Sequence, residues 1–234
     1  MAVHTIKRFE EELNTLKEFV LSMGGLVERA IGDAVRSVLE HDIELARKTI
    51  AQDSAINALE VQCDDMTQNI LARRQPAAGD LRFIISMIKV VTDLERMGDL
   101  SVGICEGLLR MEETPPKHYS SIAIMGEKVQ QQVNRALDAL SRGDIDLAME
   151  VIEKDKAIDD LYHGIYRETL TYMMEDPRTI TTASILFDVG KGLERIGDHA
   201  TNISEMVIYM IKAHDIRHID PDAVMRLLQE SKQV

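Results

Sequence analysis

The sequence has no tryptophan and few other aromatic residues, with four phenylalanines and five tyrosines among 234 residues. Glycine and proline are also scarce, at 13 and 5 copies. Sandwiches and barrels need aromatic and β-branched strands, so this composition argues against both architectures. Leucine, isoleucine, methionine, alanine and acidic residues are abundant, which favours long helices. Apolar residues make up 45% of the chain, enough for a sizeable core and against wholesale disorder.

The sequence has few basic residues for its acidic content: 27 lysines and arginines against 40 aspartates and glutamates, for a net charge of −13. A net anion of this size repels phosphate backbones and anionic lipids, which argues against nucleic acid as a partner and against direct membrane adhesion. It is compatible with cationic ligands, including metal ions. No apolar run approaches the ~20 residues of a transmembrane helix, and the charged N-terminus lacks a signal-peptide core. We therefore expect a cytoplasmic protein without membrane insertion, able to dock on a membrane protein.

Several features of enzymes and disulfide-rich proteins are missing. The two cysteines, Cys63 and Cys105, suggest neither a disulfide scaffold nor a zinc knuckle, and are predicted to be semi-buried thiols. The phosphate-binding glycine loops, the Gly-x-Ser-x-Gly nucleophile motif and the His-Glu-x-x-His zinc motif are also absent. We therefore predict no catalytic residues and a protein that is not an enzyme.

Apolar residues recur three and four positions apart over stretches of about thirty residues, as in the series from Phe9 to Val38. This period predicts long amphipathic helices. Prolines and turn-forming residues predict breaks near residues 41–42, 75–79, 112–121, 143 and 176–177. The prediction is an all-α protein of six long antiparallel helices, followed by a short C-terminal helix at about 221–231.

The chain contains an internal repeat. Residues 42–59 align with residues 144–161 at an offset of 102, and residues 93–106 align with residues 192–205 at an offset of 99. Half of the positions are identical in each window. We therefore expect two tandem three-helix bundles, residues 1–113 and residues 114–234, with the C-terminal helix in the second.

Acidic residues recur at equivalent positions of the two copies. Glu95 and Asp99 are four residues apart, as are Glu194 and Asp198, so each pair lies on one helix face. Like charges at this spacing destabilise an isolated helix, and their recurrence calls for compensation. Hard oxygen ligands suit Mg²⁺, Mn²⁺, Ca²⁺ and iron better than ions that prefer thiolates, and zinc is a further candidate. These four carboxylates are the principal predicted ligands of a divalent or trivalent metal ion.

Further oxygen-bearing side chains extend these faces or lie on the second helix of each copy. The secondary candidates are Asn202, Glu205, Glu106, Asp53, Glu60, Asp155 and Asp159. The alternative is that each Glu-x-x-x-Asp motif is a solvated helix face beside Arg96 or Arg195. Gly98 and Gly197 within the motifs favour a site, because a helical glycine costs ~1 kcal/mol relative to alanine. Close packing or the close approach of a ligand would explain a residue without Cβ there.

The segments Leu94–Asp99 and Leu193–Glu205 closely resemble the doubled signature of the PhoU family, accessory regulators of bacterial phosphate uptake. Residues 74–82 and 53–60 are also similar to that family, so the resemblance covers nearly the whole chain. It implies two similar three-helix bundles side by side, with polynuclear metal sites built around the Glu-x-x-x-Asp motifs. One departure is Gly103, where the second copy has the asparagine that the family pattern expects.

The resemblance also implies a function. The protein would be a cytoplasmic adaptor, peripheral at the inner face of the membrane through its partners. It would link the ATPase subunit of the phosphate ABC transporter to a membrane sensor histidine kinase. When phosphate is plentiful, it would negatively regulate the phosphate-starvation response and phosphate uptake. Because the family often forms dimers, a homodimer is expected.

Two other functions fit parts of the pattern. A helical metal-storage or metal-oxidase protein would also carry carboxylates on its helices. However, di-iron oxidases use Glu-x-x-His pairs, and this sequence contains none. The third interpretation is a structural helical module whose acidic stripes bind no metal. Metal analysis of the protein distinguishes it from the adaptor.

Overall fold

Helices make up nearly all of the described chain, which comprises residues 2–111, 120–217 and 219 of a computed structural model. They are α1 (Ala2–Glu40), α2 (Ile43–Arg73), α3 (Ala78–Leu109), α4 (Ser120–Arg142), α5 (Ile145–Lys154), α6 (Lys156–Glu175) and α7 (Ile180–Lys212), with a 3₁₀ turn at Pro177–Thr179. None of the helices in these ranges has both the length and the hydropathy to cross a membrane. The described residues contain no strand, and the predicted all-α class is confirmed.

The helices form two three-helix units in tandem. In the first unit α1, α2 and α3 pack on one another, and in the second α4 and the α5–α6 rod pack on α7. The broadest contact between the units is that of α3 with α7, the two helices that carry the acidic motifs. The predicted pair of three-helix bundles is therefore confirmed. The boundary predicted between residues 113 and 114 and the helix predicted at about 221–231 lie outside the described residues.

The same turn precedes the second helix of each unit. The carboxylates of Asp42 and Asp144 each accept a hydrogen bond from the backbone N–H three residues later, at 2.9 and 3.0 Å. The preceding residues, His41 and Gly143, have φ angles of 54° and 65°. A left-handed residue ends one helix and an aspartate cap begins the next. These turns account for the predicted breaks near residues 41–42 and 143.

The second long helix of the second unit is interrupted at Asp155, which the apolar period does not indicate. α5 ends at Lys154, and α6 begins at Lys156. Gln132 of α4 reaches this point, with Nε2 3.0 Å from Asp155 Oδ1 and 3.5 Å from the Val151 carbonyl oxygen. A side chain that bonds to a helix carbonyl competes with the backbone hydrogen-bond ladder, which gives a physical reason for the interruption.

The two units also meet at a reciprocal pair of glycines on α1 and α4. A Cβ on Gly24 would lie 2.6 Å from Leu137 Cδ2, and a Cβ on Gly126 would lie 2.6 Å from Val35 Cγ1. Each glycine and each partner is related to its counterpart by the repeat offset of 102. The contact is therefore self-complementary, as at a two-fold interface. The missing side chains let the two helices approach closely and join their apolar residues in one core.

Candidate metal centre

Three aspartates of the second unit converge where α5 and α6 meet α7. Asp155 lies at the α5–α6 junction, Asp159 one turn later and Asp198 on α7. One carboxylate oxygen of each aspartate lies within 4.8 Å of the others. A single multivalent cation can bridge oxygens at this separation, since its metal–oxygen distances are ~2.0–2.6 Å. We call these three residues the aspartate cluster.

The aspartate cluster is electrostatically unfavourable without a cation. Desolvation and the neighbouring carboxylates of Glu194, Asp155 and Asp159 raise the pKa of Asp198 to about 6. Desolvation, followed by the charges of Asp155 and Glu194, also raises the pKa of Asp159. Both shifts reflect the free-energy cost of removing negative oxygens from water and then of holding them close together. A bound cation would offset that cost with opposite charge.

Glu194 lies beside the aspartate cluster but has a cation of its own. Lys191, one turn earlier on α7, donates hydrogen bonds from Nζ to both carboxylate oxygens of Glu194, at 3.0 and 2.8 Å. The Glu194 side chain is 16% exposed. Lysine thus pairs with the motif glutamate of the second copy, a role that the sequence interpretation gave to Arg195. Glu194 contributes charge to the site, whereas the three aspartates offer the converging oxygens.

The first unit brings four of the predicted ligands to one place. Asp53 and Glu60 of α2 interact electrostatically with Asp99 of α3, as does Glu95 on the same helix as Asp99. The pKa values of Asp53, Glu60 and Glu95 are all raised, chiefly by desolvation and in each case also by the Asp99 charge. Asp53 Oδ1 is buried and has no hydrogen-bond partner. We call these four residues the first-unit cluster.

Arg96 forms ion pairs with two members of the first-unit cluster. Its Nε lies 3.5 Å from Glu95 Oε2, and its Nη1 lies 3.5 Å from Asp99 Oδ2. The interpretation that an arginine pairs with the motif carboxylates thus describes the first copy. Within residues 2–111, 120–217 and 219, the aspartate cluster is the group in which three acidic side chains have oxygens close enough to share one ion.

The PhoU domain model matches residues 20–108 and residues 122–207, one match for each unit. The chain belongs to the PhoU family. It is 44% identical over 218 residues to the phosphate-specific transport system accessory protein PhoU homolog of Pseudomonas putida, covering 92% of this chain and 85% of that protein. It is 37% identical over 228 residues to the phosphate-specific transport system accessory protein PhoU of Escherichia coli K12, covering 96% and 94%.

Solved PhoU structures share the fold. The crystal structure of PhoU from Pseudomonas aeruginosa is 43% identical and superposes with a TM-score of 0.85, over 88% of this chain and all of that one. The phosphate transport system regulatory protein PhoU from Streptococcus pneumoniae is 28% identical, with a TM-score of 0.83 over 88% and 98% of the two chains. The family assignment from the doubled motif is confirmed.

Three secondary candidates from the PhoU-like motifs have surroundings of their own, apart from the three aspartates. Asn202 donates from Nδ2 to Asp93 Oδ1 of α3, at 3.2 Å. Glu106 is exposed. Glu205 is partly exposed, and its charge adds to the hydrogen bond to Asp215 that chiefly raises the pKa of Arg217. Of the two carboxylates, Glu205 is not in the group whose oxygens lie close enough to share an ion, and Glu106 belongs to the first unit.

The sequence interpretation missed Gln132, which supports the aspartate cluster from α4. The residue is 5% exposed, and its Nε2 donates to Asp155 Oδ1 at 3.0 Å and to Thr201 Oγ1 at 3.3 Å. Its Oε1 is buried without a hydrogen-bond partner. The first copy has Ala30 at the equivalent position. A polar residue on an otherwise apolar helix face was the signal that could have identified it.

The motif glycines pack against the helices that complete the two clusters. A Cβ on Gly98 would lie 3.0 Å from Asp53 Oδ1 and 3.2 Å from Ile56 Cδ1. A Cβ on Gly197 would lie 3.2 Å from Gln132 Oε1. Close packing therefore accounts for both glycines, one of the two explanations expected from the sequence.

Proposed function

We propose that this PhoU-family protein is a metal-binding accessory regulator of phosphate uptake. The observation that carries the proposal is the convergence of Asp155, Asp159 and Asp198 on a space that one cation can fill. Relatives at 37–44% identity are named accessory proteins of the phosphate-specific transport system. The role is binding and assembly, and the protein is not an enzyme.

The donor set favours hard or borderline cations. The aspartate cluster offers only carboxylate oxygens, which suit Mg²⁺, Mn²⁺ and iron ions, and zinc accepts such ligands as well. Asp155, Asp159 and Asp198 would hold an ion, with Glu194 adding negative charge. The first-unit cluster would hold a second ion once Arg96 is displaced. A bound ion would supply the positive charge that ties α7 to the α5–α6 junction.

The proposed regulatory role is that of a cytoplasmic adaptor. It would contact the ATPase subunit of the phosphate ABC transporter and a sensor histidine kinase, and act as a homodimer peripheral to the membrane. When phosphate is plentiful, it would repress the phosphate-starvation response. The names of the relatives and the similarity of both motifs to the PhoU signature support this role. The charge of −13 supports protein partners rather than nucleic acid.

A metal-storage or metal-oxidase function has less support. The group of side chains that could share an ion in the described chain contains three aspartates and no histidine. Di-iron carboxylate oxidases add histidine ligands from Glu-x-x-His pairs. The present donor set is therefore better suited to retaining a cation than to activating oxygen on it.

Metal binding is tested by elemental analysis and calorimetry on the full chain. Wild-type protein loaded with Mn²⁺ or Fe²⁺ should retain metal after desalting, and the Asp159→Asn/Asp198→Asn variant should lose most of the second-unit metal. Asp160→Asn is the matched control, because this exposed aspartate neighbours Asp159 but lies outside the aspartate cluster. Equal metal content in all three proteins would rule out the aspartate cluster as the site.

The regulatory role is tested in a strain that lacks the gene. Deletion should raise alkaline phosphatase activity at high phosphate, and the wild-type gene should restore repression. Asp159→Asn/Asp198→Asn tests whether repression needs the metal, whereas Asp160→Asn should repress normally. A deletion strain that keeps alkaline phosphatase repressed at high phosphate would refute the regulatory proposal, whatever the metal content.

A further inference from the structure

A cavity of about 190 Å³ opens between α4 and the α5–α6 rod, next to the aspartate cluster. Lys128, Arg135 and Lys154 line it, and we call these three residues the cationic rim. Val151 and Ile158 supply apolar walls. The cavity is thus a site of concentrated positive charge on a chain whose net charge is −13. Such a local reversal of charge favours an anionic ligand.

The cationic rim is partly held in place by one acidic residue. Glu150 forms ion pairs with both Arg135 and Lys154, which keeps these two side chains together. Lys128 has no ion-pair partner in the part of the chain that the structure describes. The three rim cations and Glu150 together carry a net positive charge, and the Lys128 ammonium is available to bind an anion.

The internal repeat provides a comparison for this cavity. The first unit has a groove at the equivalent place between α1 and α2. At the repeat offset of 102, the positions of the cationic rim are occupied there by Leu26, Asp33 and Gln52. Arg29 and Lys48 also line the first groove, but Asp33 lies among them. The apolar, acidic and neutral side chains of the first copy are therefore all replaced by cations in the second.

We propose that the cavity between α4 and α5–α6 binds a small dianionic phosphate group, as free orthophosphate or as a small phosphomonoester. Its volume of about 190 Å³ leaves room for an ion of a few heavy atoms. Lysine ammonium and arginine guanidinium groups are the usual donors to such oxyanions.

The proposed anion site shares a side chain with the aspartate cluster. Gln132 lines the cavity, and its amide donates to Asp155 Oδ1. An anion bound to the rim would therefore lie on one side of Gln132, and Asp155, a candidate metal ligand, lies on the other. The site nevertheless uses its own cations, so its existence does not depend on the proposed metal function.

Isothermal titration calorimetry on the full-length protein tests this proposal. The titrants are orthophosphate, glycerol 3-phosphate and sulfate at constant ionic strength. The test variant is Lys128→Leu/Lys154→Gln, which places the first copy's residues at two exposed positions of the rim. We expect at least about tenfold weaker binding, because each lysine lost removes a charge-assisted hydrogen bond. The tighter of the two phosphate ligands identifies the source of the phosphate group.

Two further proteins control for net charge and for bound metal. Lys7→Gln/Lys48→Gln removes the same charge outside the cavity and should bind orthophosphate as wild type does. Asp159→Asn/Asp198→Asn should also retain binding, whereas phosphate bound to a metal in the cluster would be lost there. The proposal is overturned if wild type takes up neither phosphate ligand at millimolar concentration, or if the rim variant binds as tightly as wild type. Loss in the aspartate variant alone overturns it too.

Discussion

Asp93 of α3 and His199 of α7 form a hydrogen bond across the contact between the two units. His199 Nδ1 lies 2.8 Å from Asp93 Oδ1, and the two side chains are 16% and 15% exposed. Asn202 donates to the same oxygen at 3.2 Å. Asp93 lies two residues before Glu95, and His199 directly follows Asp198. This polar contact therefore joins the helices that carry the two candidate metal clusters.

Breaking the Asp93–His199 contact is predicted to destabilise the fold. Asp93→Ala and His199→Ala should each lower the free energy of unfolding by ~1–3 kcal/mol, because the remaining partner loses a largely buried hydrogen bond. Urea denaturation of both single variants and the double variant should give a coupling of ~1 kcal/mol. Asp188→Ala, at an exposed position of α7, should change stability by less than ~0.5 kcal/mol. Strictly additive effects would show that the contact contributes nothing.

Metal affinity is predicted to fall as the pH drops through about 6, the raised pKa of Asp198. Protons and metal compete for the same carboxylate, so binding of Mn²⁺ measured by calorimetry should weaken below this pH. Asp160→Asn should show the same profile as wild type. A profile that is flat around pH 6 would argue against Asp198 as a ligand.

The metal-free protein is predicted to have the opposite pH dependence of stability. The pKa of Asp198 is raised in the folded state from 3.8 to about 6, so the folded state binds the proton more tightly than the unfolded chain. The resulting stability is complete below the unfolded pKa and is lost as pH rises through the folded pKa. Urea midpoints in chelator should therefore decrease across this window, and Asp198→Asn should reduce the decrease. An equal decrease in the variant would assign it to other groups.

Removing Arg96 is predicted to strengthen metal binding in the first unit. Its guanidinium lies 3.5 Å from both Glu95 and Asp99 and competes with a cation for their oxygens. Arg96→Gln should raise the metal affinity of the first-unit cluster and leave that of the aspartate cluster unchanged. Arg195→Gln, at the equivalent position on α7, is the matched control. Calorimetry in an Asp159→Asn/Asp198→Asn background isolates the first-unit signal, and an unchanged affinity there contradicts the prediction.

Alanine at Gly126 is predicted to destabilise the contact between α1 and α4. The new Cβ would lie 2.6 Å from Val35 Cγ1, and the stiff β-branched valine cannot turn aside. We expect a loss of ~1–3 kcal/mol in urea denaturation. Gly103→Ala is the control, because no atom lies within 4 Å of its added Cβ and alanine favours the helix by up to ~1 kcal/mol. Equal stability of the two variants would mean that the helices move apart freely.

The apolar period and the internal repeat predicted the fold class and most helix ends. Turn residues at 41–42 and 143 lie where helices end, because a left-handed residue followed by an aspartate cap is a local signal. The interruption at Asp155 had no such signal, since Asp155 itself keeps ordinary right-handed helical φ and ψ angles. The interruption lies where Gln132, a residue on α4, donates a hydrogen bond to the Asp155 side chain.

The sequence by itself determined that this protein is a duplicated all-α chain of the PhoU family with acidic motifs in both copies, because helix periodicity, caps and motif spacing are local properties. Only the tertiary structure decided how the two copies differ. The helix that faces each motif brings Asp53 and Glu60 close to Asp99 in the first unit, and Asp155 and Asp159 close to Asp198 in the second. It also places Asp93 against His199. The physical reason is that Coulomb interactions and desolvation depend on distances between side chains far apart in sequence, and the packing of helices sets those distances.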